Sequence, residues 1–154
     1  MSLFAWIETT AIARAVGGSL PLTAWLSAVH ALGFTLTMGS AFLLNLRLLN
    51  AVLPQHIVSE VARPTSYAIL LGLAVSLLSG GLLFSTRASS AIENNTFQIK
   101  MLLLISAVVF HFLIQARVTR QLQPGMLVMR TSAVFGLALW AGLAVAACWF
   151  ILFE

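Results

Sequence analysis

Four apolar runs, each about as long as the roughly 20 residues needed to cross a bilayer, dominate what this chain can become. The first extends from Leu22 to Leu49 and contains "TAWLSAVHALGFTLTMGSAFLLNL". The second occupies 65–86, directly after Pro64, a residue well suited to a helix start. The third covers 97–118 and the fourth 131–153. Short connections between such runs favour antiparallel neighbours, so the expected fold is all-α, an integral membrane antiparallel four-helix bundle forming a single domain over 1–154. Composition agrees: the chain is 60% hydrophobic and only 8% charged, with a mean hydropathy of +1.02, outside the balance of soluble domains.

Ahead of the first run, residues 3–17 are too interrupted to span. Leu3, Phe4, Ile7, Ala11 and Ala15 can share one helical side while Glu8 and Arg14 lie elsewhere, which suits a short helix lying in the membrane interface. It lacks a basic leader and a small-residue cleavage site, so it is expected to remain attached. The eight basic residues stand singly between apolar runs, a pattern of topology determinants rather than of a phosphate-binding patch, which excludes nucleic acid as a partner. Arg47, Arg63, Arg117, Arg120 and Arg130 fall on one side of the bundle, and Arg14, Arg87 and Lys100 on the other. The positive-inside rule then places both termini in the periplasm of a bacterial inner membrane. Cys148 is the lone cysteine, so neither a disulfide nor a covalently attached c-type haem is available.

Two histidines lie deep within these runs. An imidazole in hydrocarbon is costly without a partner, and His30 and His111 are therefore the first functional candidates. Neutral imidazole is a standard axial ligand to haem iron, and a helical bundle supplies both facing side chains and an apolar slot. At 1.5 Å rise per residue the two lie roughly 12 and 21 Å from the same end, an offset of about 9 Å. Helix tilt would let them share one iron; otherwise a single-histidine haem, or two cofactors at different depths, is the arrangement. Lys100 precedes His111 by almost a whole number of turns and lies about 16 Å nearer the surface on the same face, placed to meet a haem propionate. Gly33, one turn after His30, would clear room for a flat macrocycle, and Trp140 is deep enough to flank it.

Small residues are expected to line the bundle interior: Gly33, Gly39 and Ser40, then Gly72, Ser76, Ser79, Gly80 and Gly81, then Gly136, Gly142 and Ala144. His56 follows Pro54 in a polar connection and is expected to face solvent. No Asp or Glu lies in the four runs, which disfavours an acid-based ion pump. Copper also accepts imidazole, but Met38, Met101 and Cys148 show no convergent spacing.

The run "HALGFTLTMGSAFLLNLRLL" together with "FQIKMLLLISAVVFHFLIQ" resembles small bacterial four-helix membrane proteins of unknown function. More distantly it is similar to the haem-binding protoporphyrinogen oxidase family and to the copper resistance D membrane family. The oxidase resemblance implies haem-related roles for His30, Lys100 and His111. The expected function is a haem b-binding, cytochrome b-like electron-transfer module with one or two haems, its iron held by His30 and His111, exchanging electrons with quinone or a partner redox protein. A haem-dependent porphyrinogen oxidase, a copper-binding or copper-transport protein, and a noncatalytic structural subunit are the alternatives, so enzymatic activity stays open. Membrane lipid is the expected surround, with a homodimer or a larger redox membrane complex as the assembly.

Overall fold

The computed structural model describes residues 3–121 and 125–153, with side chains as far as Trp149. It contains α1 (Leu3–Glu8), α2 (Ala11–Gly17), α3 (Leu20–Leu48), α4 (Val58–Ser85), α5 (Ala88–Glu93), α6 (Asn95–Phe110), a π-helical segment (His111–Gln115), α7 (Ala116–Arg120) and α8 (Met126–Phe153). No strand occurs among the described residues. Four helical rods, α3, α4, the continuous α6–π–α7 and α8, are long and apolar enough to cross a membrane, so the chain is an all-α multi-pass membrane protein. Leucines such as Leu70, Leu78 and Leu102 face outward, where lipid rather than water satisfies them.

The rods start and stop where local chemistry dictates. Ser19 caps α3 by accepting from the Leu22 backbone N–H at 3.4 Å, and Asn94 caps α6 by accepting from Phe97 N–H at 2.9 Å. Pro64 does not begin α4. The helix starts six residues earlier, where the Glu60 carboxylate reaches back to the Ile57 N–H at 3.4 Å, and Pro64 sits inside it. The segment ahead of α3, expected as one interfacial helix, is two helices, because Thr10 accepts from Ala13 N–H and restarts the helix as α2. Its buried residues are Ala13 and Val16, packed toward α3 and α4, while Leu3 and Trp6 stay exposed. The connection after α4 is not simply a loop, since it folds into α5, to which Glu8 of α1 is tied by accepting from Ser89 N–H at 2.8 Å.

α3 packs most intimately on α4, then on α8, and α8 packs on α6; α4 meets the third rod chiefly through α7. The end of the bundle where α3 begins and α4 ends, called the near end, is covered by α1, α2 and α5. There the Phe84 and Phe97 rings stack at 5.5 Å. At the opposite, far end, Arg47 is buried and donates from Nε and Nη2 to the His56 carbonyl and from Nη1 to Asn50, organising the α3–α4 connection. Packing is uneven along the axis. Ile69, Leu73, Met38, Ala41, Trp140 and Leu143 form a closed core in the middle, continued toward the far end by Leu44, Leu48, Ala62 and Ala133. In the near half, residues 20–32 of α3 and 95–106 of α6 contribute no buried residue.

Small residues explain the α3–α4 seam. A Cβ on Gly72 would meet Thr37 Oγ1 and, at 2.7 Å, the Gly33 carbonyl; one on Gly33 would come within 2.9 Å of the Gly72 carbonyl. Only hydrogen at both positions lets the backbones approach this closely. Gly39 and Gly81, expected inside, have open space where a Cβ would stand and belong to the outer surface.

Candidate functional site

His30 lies on α3 in the near half, half-buried against α4. Its Nδ1 is 2.9 Å from the Ser76 carbonyl and 3.4 Å from Ser79 Oγ. A carbonyl only accepts, so Nδ1 carries the proton and Nε2 presents its lone pair, to which no described residue hydrogen-bonds. Gly80 makes this seat: a Cβ there would fall 2.8 Å from His30 Cε1 and push the ring out. An imidazole anchored through Nδ1–H to a backbone carbonyl, with Nε2 bare, is the posture of a metal-ligating histidine. Lys100, whose ammonium stands 5.9 Å from the centre of the Phe97 ring, is near enough to His30 for its charge to be felt there.

His111 is in a different environment. It is 1% exposed and opens the π-helical turn, which ends at Gln115. One hydrogen-bonded sequence fixes every orientation in this cluster. Asn45 Nδ2 donates to the Ala41 carbonyl at 2.7 Å, which turns Asn45 Oδ1 toward Gln115 Nε2 at 2.6 Å. Gln115 Oε1 must then face His111 Nδ1, at 3.1 Å, so that Nδ1 again carries the proton. Gln115 Nε2 also approaches the Ser132 carbonyl at 3.4 Å. Gly136 on α8 leaves the space for this junction, since a Cβ there would collide with both Asn45 Oδ1 and Gln115 Nε2. Among the described residues, three side-chain polar atoms are buried without a partner: His111 Nε2, Trp140 Nε1 and Ser132 Oγ.

The two histidines are not brought together. Asn45 and Gln115 touch and so mark one level of the bundle. His30 stands fifteen positions along α3 from that level and His111 only four along the third rod, which leaves them about 16 Å apart along the axis at 1.5 Å per residue. That exceeds the roughly 9 Å read from span boundaries because the outer ends of α3 and of the third rod are not level, the Asn45–Gln115 contact setting α3 farther toward the near end. One iron cannot take both rings across such a distance. Gly33 clears no slot for a macrocycle, because the α4 backbone and Ser76 already occupy its open side. Trp140 is fully buried in the mid-bundle core beside Ala107 and Leu143, on the side of His111 rather than of His30.

Two open grooves lie elsewhere. One of about 280 Å³ runs between α6 and α8 past Phe110, Ile114, Ser132 and Phe135, and another of about 370 Å³ runs between α3 and α4 past Leu43, Leu53 and Pro64. Neither is lined by a histidine. Among the described residues no three His, Cys, Asp or Glu side chains cluster as a metal site.

Asn45 and Gln115 are the residues that the histidine argument misses. Both were visible as amides inside apolar runs, and Gln115 lies four positions after His111, the spacing at which helical side chains meet. No curated protein and no solved structure is similar enough to match the chain. The model of a family of unknown function, DUF6644, matches residues 3–153, nearly the whole of the four-rod architecture just described, and the chain belongs to that family.

Proposed function

We propose that this protein binds haem b in its near half through His30 and serves as a cytochrome b-like electron-transfer module. The observation that carries the reading is the His30 ring itself, held by the Ser76 carbonyl at 2.9 Å with Nε2 left as a bare lone pair in the less densely packed half of the bundle. Haem would supply a one-electron couple whose potential the surrounding packing tunes. The chain's own part is to fix the imidazole: Ser76 sets its tautomer, Gly80 permits its approach to α4, and Lys100 offers a cation to a propionate. His111 is assigned to the bundle's internal polar junction instead, because an iron at its Nε2 would have to displace a fully buried core.

A copper reading is less well supported, since one free imidazole nitrogen in the near half is a poor donor set for a copper site. The arginines Arg47, Arg63, Arg117, Arg120 and Arg130 collect at the far end, which we assign to the cytoplasm of a bacterial inner membrane, with the termini and the haem toward the periplasmic side. A quinone or a partner redox protein would exchange the electron. The test is pyridine-haem and iron quantitation of gently solubilised protein, with His30→Ala and added imidazole. One haem per chain, lost in the variant and regained with free imidazole, supports the reading. A haem-free, folded preparation rejects it.

A further inference from the structure

Independently of any haem, the orphaned polar atoms of the far half point to a bound ligand. His111 Nε2 and Trp140 Nε1 are both buried without a partner, in side chains that are 1% and 0% exposed. They occupy the same level: Gly136 of α8 faces Gln115, and one turn from that pair, in the same direction along the bundle, stand Trp140 and His111. Their chemistry is complementary. The indole N–H only donates. His111 Nε2 only accepts, because the sequence of bonds from the Ala41 carbonyl through Asn45 and Gln115 places the ring proton on Nδ1. Neither rigid ring can satisfy its atom by turning to its own backbone. Ser132, the third orphan, differs, since its hydroxyl can rotate onto the carbonyl one turn earlier as Thr131 already does.

The geometry points to a single buried water bridging Trp140 and His111, accepting from indole Nε1–H and donating to imidazole Nε2. Buried waters settle where otherwise unsatisfied polar groups lie together, and a donor and an acceptor orphaned at the same level of the bundle meet that need. With the water in place, every donor points one way: Trp140 to water, water to His111, His111 to Gln115, Gln115 to Asn45, and Asn45 to the Ala41 carbonyl. Such a directional sequence polarises each successive bond and joins α8, the π turn and α3.

The test is nuclear magnetic resonance of full-length protein in nanodiscs, labelled with ¹⁵N at histidine and tryptophan, with Trp140→Phe and His111→Gln to assign the signals. The expected result is a slowly exchanging water with cross-peaks to both Trp140 Nε1–H and the His111 ring, whose Nδ1 is protonated and Nε2 bare. Trp140→Phe should abolish the water contact at His111. A direct hydrogen-bond coupling between the two rings overturns the proposal, as does a wild-type spectrum with no water contact at either ring. Both readouts come from wild-type protein, so a variant that fails to fold does not shield the idea.

Discussion

The two halves of this bundle enclose an imidazole to different degrees. In the far half, His111 is enclosed by three helices and its Nδ1 is engaged by a side-chain amide that is itself engaged twice. In the near half, His30 leans on the Ser76 carbonyl and Ser79 Oγ of α4, from a stretch of α3 that buries nothing over residues 20–32. The difference teaches that depth within an apolar run does not by itself mark a ligand. A polar group in hydrocarbon needs a partner, and both rings are held at Nδ1 with Nε2 left bare, but His111 carries that nitrogen inside a closed core, whereas His30 is half-buried on a stretch of α3 that buries little.

If the near half is held chiefly by the α3–α4 seam, Gly72→Ala should be the most damaging small change, costing about 3 kcal/mol by forcing apart backbones that cannot yield. Unfolding followed by circular dichroism in detergent would measure it. Gln115→Leu tests the other half: it leaves Asn45 Oδ1 and His111 Nδ1 without partners and should cost about 2.5 kcal/mol in the same assay. A cost for Gln115→Leu well above that for Gly72→Ala would reverse the ranking and make the polar junction the main fastener. Gly136→Ala intrudes on the same junction through flexible side-chain ends, so about 2 kcal/mol is expected, with little added when Gln115→Leu is already present. Leu78→Ala, on the lipid-facing side of α4, should change stability by less than about 0.5 kcal/mol, the baseline against which the others are read.

Much of this architecture is legible from the chain alone, because bilayer thickness dictates span length and four apolar runs have few ways to pack. Pro64 misleads about the start of α4, since the Glu60 carboxylate satisfies the Ile57 N–H and lets the helix begin earlier. The candidate site is legible only one residue at a time. His30, His111 and Lys100 stand out as polar atoms in hydrocarbon, but which of them meet depends on the offset between helices. That offset is set by contacts such as Asn45 with Gln115 and Gly33 with Gly72, which no periodicity within one helix reveals. Gly33 illustrates the point: a glycine beside a histidine reads equally well as space for a cofactor or for a neighbouring backbone, and here the backbone of α4 takes it.

The most direct test of the contrast between the halves is the reduced-minus-oxidised absorption spectrum of His30→Ala set beside that of His111→Gln, each normalised to folded protein. The account predicts that the b-type signal disappears in His30→Ala and persists in His111→Gln. A signal that survives without His30, or that is lost with His111 alone in a folded protein, would contradict it.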